Sequence, residues 1–209
     1  FDKDYSVYKT IEEAENTVDS LEVEITDYLS KILAHPLNDE QNNIATGLFH
    51  VVNDIERISD HSINIADILM ENKKKGIEFS EHAMDELKKI YEIMDKTLKT
   101  AIVSYDSDDA AKAYKVEPLE EVMDELVERL RKRHMDRLNS KQCNVHAGIQ
   151  FLDLLSNFER ISDHCSNIGL FVVAQHKQIN PHDYAKKMHD GDDENYRTYF
   201  EKYLSKYDV

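Results

Sequence analysis

The chain has 209 residues, enough to bury a substantial core in one large domain or two small ones. Its five Gly and three Pro are too few for an all-β fold with many tight turns. Forty-two acidic against 26 basic side chains give a formal charge of −16, which repels a phosphate backbone and argues against nucleic acid as a partner.

In chain order, residues 1–10 are a short polar and aromatic lead. Ile11, Ala14, Val18, Leu21, Ile25, Leu29 and Ile32 then recur at steps of three and four, which predicts a helix to about Ala34. His35-Pro36 ends it, because proline pushes its predecessor out of the α region. A second helix is predicted from about Asp39 to Asn72, with Ile44, Leu48, Val51, Ile55, Ile58, Ile65 and Leu69 as its apolar face. Lys73-Lys74-Lys75-Gly76 closes it with positive charge and a glycine. A third runs from an N-cap at Ser80 to about Tyr105, apolar at Leu87, Ile90, Ile93 (or Met94), Leu98, Ala101 and Ile102.

Asp106-Ser-Asp-Asp109 breaks the chain, and a fourth helix is expected over about 109–138, with Pro118 as a kink or local start. Leu119, Val122 (or Met123), Leu126, Leu130 and Met135 line one side of it. The fifth, about 141–175, is apolar at Val145, Ile149, Leu152, Leu155, Phe158, Ile161, Cys165, Ile168 and Val172. Residues 188–193 are expected to be a loop, and 194–207 a last short helix. No apolar run approaches the ~20 residues needed to cross a bilayer. Cys143 and Cys165 form no CxxC and are expected to be reduced thiols. The expected class is all-α: an elongated antiparallel helical bundle.

One helical phrase occurs twice. Glu56-Arg-Ile-Ser-Asp60-His61-Ser-Ile-Asn64-Ile65 returns 103 residues later as Glu159-Arg-Ile-Ser-Asp163-His164-Cys-Ser-Asn167-Ile168, identical at eight of ten positions. Packing alone requires only the apolar positions to repeat, yet the polar ones repeat too. The preceding helices match as well: Glu15, Asp19 and Leu21 correspond to Glu120, Asp124 and Leu126 at an offset of 105. Leu37-Asn38-x-x-Gln41 and Leu138-Asn139-x-x-Gln142 match at an offset of 101, as though both began the phrase-bearing helix. Phe1-Asp2-Lys3-Asp4 resembles Tyr105-Asp106-Ser107-Asp108. The repeat divides the chain into 1–76, 77–178 and an acidic, aromatic tail 179–209. The second unit has a helix at 80–105 that the first lacks, so an N-terminal extension of the parent protein is expected.

Four Glu-x-x-x-Asp pairs occupy equivalent places: Glu15/Asp19, Glu56/Asp60, Glu120/Asp124 and Glu159/Asp163. Residues i and i+4 share one helix face, where two acids repel unless something binds between them. Two such helices side by side direct four carboxylates at one point, a donor set for hard cations such as iron, manganese, magnesium or calcium. The bland alternative is a solvated acidic face. His61 and His164 each follow their Asp by one residue, which turns them about 100° away around the helix. That favours a structural hydrogen bond over ligation, while Asn64 and Asn167 are better placed beside the ligands.

With these residues the chain resembles the PhoU family of phosphate-uptake regulators, over about residues 1–176. The resemblance implies two tandem three-helix repeats, the first lacking its first helix, and iron or zinc clusters (manganese as a further candidate) held by Glu15, Asp19, Glu56 and Asp60 in one unit and Glu120, Asp124, Glu159 and Asp163 in the other. Ser59 and Ser162 stand where free-standing members usually have Gly, and Asp-Leu-Arg at the start of the phrase-bearing helix is absent. The combination is more similar to the PhoU-like cytoplasmic domain of sodium-dependent phosphate cotransporters. That resemblance implies a non-enzymatic regulatory domain at the cytoplasmic face of the membrane. Its partner would be a membrane phosphate transporter, its own upstream transmembrane region, and a homodimer is a further assembly it permits. The alternatives are a free-standing regulator of phosphate uptake, a metal-free interaction module, and a carboxylate-bridged di-metal enzyme. The last lacks the Glu-x-x-His spacing it would need.

Overall fold

The computed structural model describes residues 7–140, 144–177, 179, 181–190 and 193–208. They form α1 (Tyr8–Leu33), α2 (Asp39–Lys75), α3 (Glu81–Asp106), α4 (Ala110–Ala113), α5 (Val116–Asn139), α6 (Val145–Lys177), α7 (Pro181–Asp190) and α8 (Glu194–Tyr207). Among the described residues there is no strand, and no helix is long and apolar enough to cross a membrane.

The boundaries follow local chemistry. Asn38 accepts from the Gln41 amide while the Gln41 side chain accepts from the Asn38 amide, a capping box that starts α2. Gly76 ends α2 in the left-handed region at φ 64°, where a side chain would be strained. Ser80 caps α3, and Asp109 caps α4 by accepting from Ala111 and Lys112. Asp193 caps α8 in the same way, through Asn195 and Tyr196.

The two phrase-bearing helices, α2 and α6, lie side by side along the molecule, each about 50 Å or more in length. Helix α1 packs on α2, while α3 and α5 pack on α6 and on each other. Helix α8 lies on α5, and α7 on α6. The core is concentrated at α3, α5 and α6, where Leu87, Ile90, Ile93, Leu119, Met123, Leu126, Leu130, Phe151, Leu154, Phe158 and Ile161 are fully enclosed. A buried ion pair joins α3 to α5: the Arg137 guanidinium donates to both oxygens of Glu86, at 2.9 and 2.7 Å. Buried hydrophobic side chains of α1 and α2 are few: Leu29, Ala45, Val51 and Ala66. Among the described residues α1 and α2 have no counterpart of α3.

Several expectations need correction. The helix expected over 109–138 is two, with a turn at Tyr114-Lys115. Residues 188–190, expected in a loop, end α7, because Tyr184 and Met188 sit one turn apart and bury against Ala113, Val172 and Val173. Residues 191 and 192 lie outside the described residues. Asn139 ends α5 and does not start α6, whose first amides are served by Asn144, so the 101-residue match has no structural counterpart. Lys141 to Cys143 lie outside the described residues; Cys165 is a free, buried thiol whose pKa burial pushes up to about 12. Val145 and Ile149 are exposed, since Ala147, Gly148 and Phe151 form the inward stripe of α6. Gly148 is where His134 approaches, and a Cβ there would meet its Nε2 at 2.6 Å. Leu21, Ile25, Ile44, Ile55, Ile102 and Met135, read as apolar faces, are also exposed.

Candidate metal centres

Antiparallel packing of α1 on α2 sets the i, i+4 acids of one helix against the phrase of the other. In that arrangement carboxylate oxygens of Glu15, Asp19 and Asp60 lie within 4.8 Å of one another. Packing of α5 on α6 does the same for Glu120, Asp124 and Asp163, also within 4.8 Å. Six of the eight expected ligands are thus brought together, three per cluster.

The other two, Glu56 and Glu159, stand outside these triads. Glu159 is held by Arg131, whose guanidinium donates to both carboxylate oxygens at 3.2 and 2.6 Å and to Ser156 Oγ at 3.0 Å. Glu56 meets the neighbouring Arg57 Nε at 3.3 Å. The position of Arg131 corresponds at the 105-residue offset to Thr26, which donates to its own helix backbone at Glu22. Arg57 also reaches Asp60 at 3.2 Å, and Arg160 reaches Asp163 at 3.4 Å.

Burial, and then mutual repulsion, raises the pKa of five of these carboxyls. Loss of water and the charges of Asp124, Glu117 and Asp163 push Glu120 up to about 9. Desolvation, then Asp163 and Glu159, push Asp124 up to about 6. Asp163 is raised chiefly by burial against the opposing pull of Arg160. In the first cluster Glu15 is raised by desolvation and then by Asp19 and Asp60, and Glu56 by burial and then by Asp60. Convergent carboxylates that resist ionising together are the donor set a multivalent cation relieves. The donors are all oxygen, which fits iron or manganese better than zinc, whose structural sites take sulfur and nitrogen.

The histidines do something else. His61 Nδ1–H donates to Asn157 Oδ1 at 2.9 Å, and His164 Nδ1–H donates to Asp54 Oδ1 at 2.9 Å. Their rings stack at 5.8 Å between centroids, with 24° between planes. Asn167, expected beside the ligands, donates to Asp54 at 3.0 Å instead. Asn64 lines a shallow cleft with Asp67, Glu71 and Asp153. Asp54 and Asn157 are 103 residues apart and stand two places before each Glu of the phrase. Extending the repeat by two residues would have found them. Arg131 left no such signal, because it is present in one half only. Beside the second cluster, Ser166 Oγ donates to the buried Glu117, one turn from Glu120.

Fold and site together define a helical protein with one carboxylate cluster in each half and a histidine-bonded seam between the two long helices. The sequence matches the PhoU domain over residues 1–69 and 87–172, and the chain belongs to the PhoU family. It is 24% identical over 163 residues to the phosphate-specific transport system accessory protein PhoU homolog 1 of Thermotoga maritima, covering 77% of this chain and 69% of that one. It is 24% identical over 178 residues to the PhoU homolog of Borreliella burgdorferi, covering 82% and 79%. The crystal structure of PhoU from Pseudomonas aeruginosa superposes with a TM-score of 0.77 at 20% identity, over 85% of this chain and 84% of that one. The phosphate transport system regulatory protein PhoU from Streptococcus pneumoniae superposes at 0.71, also at 20% identity, over 84% and 82%.

Proposed function

We propose that this protein is a non-enzymatic regulator of phosphate transport whose two carboxylate clusters bind iron or manganese. Bound metal would fix the docking surface presented to a membrane phosphate transporter at the cytoplasmic face. The observation that carries this reading is the duplication. Within a family named for phosphate transport accessory proteins, the same three acids converge at equivalent places in both halves. The named relatives are accessory proteins of a transport system, which favours a separate regulator over a domain appended to a sodium/phosphate cotransporter. We take residues 1–76 and 77–178 as the two repeats and 179–209 as a tail.

The test is anaerobic reconstitution of metal-stripped protein with Fe(II) or Mn(II), followed by gel filtration and elemental analysis. Metal should be retained by wild type, and Glu15→Ala with Asp60→Ala should remove one cluster's share. A second readout is capture of the family's phosphate transporter from detergent-solubilised membranes, with and without metal. If reconstituted protein holds no metal yet captures the transporter, the metal-free interaction module replaces this reading. The arginines Arg57, Arg131 and Arg160, which already partly neutralise the acids, favour that second reading.

A further inference from the structure

Away from the carboxylate clusters, α3, α5 and α6 meet around a polar group that the core does not need. His134 of α5 is 2% exposed. Its ring stacks on Phe151 of α6 at 5.0 Å between centroids, with 30° between planes. Its Nε2 lies against Gly148, the glycine that leaves it room. That nitrogen is enclosed and has no hydrogen-bond partner among the described residues. A polar atom buried in this way costs stability.

The first half of the molecule shows that packing has an apolar solution here. At the offsets that align the acids, His134 corresponds to Leu29 and Gly148 to Ala45. Both are buried, at 6% exposed each. A leucine and an alanine hold in the first half the places that an imidazole and a glycine hold in the second. The imidazole therefore brings something other than volume: it can take a proton.

The groups around it decide what that proton does. From α3 come Glu86 and His82. The Arg137 guanidinium already occupies both oxygens of Glu86, and His82 Nε2 stands 3.2 Å from one of them. From α5 comes Arg137 itself, 5.7 Å from the centre of the Phe151 ring. Helix α6 presents Gly148 and Phe151, which do not titrate. A protonated His82 has Glu86 to meet. A protonated His134 has no acceptor at Nε2 among the described residues and has the Arg137 charge nearby. Burial first, and Arg137 second, hold its pKa below the ordinary histidine value, with Glu86 pulling the other way.

We propose that His134 is an acid-sensitive latch between α5 and α6: neutral, it lets the two helices close at Gly148; protonated, it drives residues 130–152 to open to water. The device is local to that end of the bundle, and it does not depend on metal at the carboxylates. In the open form the imidazole is hydrated and takes its proton near the ordinary value of about 6.5. The closed form resists the proton, so its stability is complete above that pH and is lost as pH falls. At pH 5.0 the open-to-closed ratio should exceed its neutral value by up to about 30-fold. The acids of the second cluster act in the opposite sense, so the effect must be read at the α5–α6 end.

The test is hydrogen–deuterium exchange of the chelator-treated 209-residue protein at pH 7.5 and 5.0, read by mass spectrometry and corrected for the intrinsic pH dependence of exchange. On acidification, protection over 130–152 should fall roughly tenfold or more relative to that over residues 51–66 of α2. His134→Gln, which is uncharged at both pH values, should abolish that loss. So should His134→Leu with Gly148→Ala, which installs the pair of the first half. His82→Ala should keep it. Unchanged protection in wild type would overturn the proposal, as would a loss of equal size in the His134 variants. Disappearance of the effect in His82→Ala would assign it to that residue and overturn it too. Nitrogen-15 NMR of the imidazoles gives a reading on wild type alone. The closed protein should keep His134 neutral at pH 6, and a protonated ring with protection intact would sink the latch.

Discussion

Arg131 separates two otherwise matched sites. It occupies Glu159 with two hydrogen bonds, while the corresponding Thr26 donates to its own helix backbone and Glu56 meets Arg57. A resident guanidinium competes with an added cation for the same carboxylate. Arg131→Thr should therefore tighten Mn(II) binding at the second cluster, and Thr26→Arg should weaken it at the first, by roughly ten- to a hundredfold for one charged hydrogen bond. Titration followed by the electron paramagnetic resonance of free Mn(II) reads both. At the same scale, Glu120 and Asp124 bind their protons more tightly in the folded chain than in the unfolded one. Between the ordinary carboxylate range and about 9, the native state holds more protons, so stability falls as pH rises through that window. The thermal midpoint of chelator-treated protein should drop from pH 5 to pH 9, and Glu120→Gln should flatten much of that slope. A slope unchanged in the variant would assign the pH dependence to other groups.

At the scale of the element, the seam between α2 and α6 rests on a reciprocal pair. His164 donates to Asp54 as His61 donates to Asn157, and the two rings stack. The Asp54 side chain is largely shielded and also accepts from Asn167, so removing His164 takes the closer of these two donors from a poorly solvated carboxylate. His164→Ala should cost about 1–3 kcal/mol. A double-mutant cycle with Asp54→Ala should return much of that as coupling energy, measured by urea unfolding, with metal content unchanged. Close approach also shapes this seam: a Cβ at Gly47 would meet the Phe171 ring at 2.2 Å. The helices themselves were legible in the sequence, because period and caps coincide at Asn38, Gly76, Ser80 and Asp109. Helix α7 was hidden by its charged composition, since among its described side chains Tyr184 and Met188 mark its inner face. The acids of the site were legible because they repeat. Arg131 was not, because a counter-charge found in one half only leaves no periodic trace.

Over the whole molecule the apolar patterns of the two halves read alike, but their burial does not. Periodicity says which face of a helix is apolar; it does not say whether anything covers it, and Leu21 and Leu126 show both outcomes. The cover comes from tertiary partners many residues away, which a local pattern does not encode. Local stability follows buried contact. Amides of α1 should therefore exchange with deuterium well before those of α3, α5 and α6, by mass spectrometry of the free protein. Uniform protection across all four helices would contradict this distribution of the core.

The paired histidines have a consequence for how the halves can differ. Each bonds to the residue that stands in the other half at the place of its own partner's counterpart, so residue i meets j and j′ meets i′. That is the contact pattern of an isologous two-fold dimer, written here into one chain. In a true dimer every substitution appears twice and acts on both sides of the axis. Covalent fusion removes that constraint. Asn157 can face Asp54's counterpart role without being Asp, and Arg131 can stand beside one cluster only. One half is free to change the charge beside its carboxylates without the other following, while the seam keeps the symmetry of its contacts.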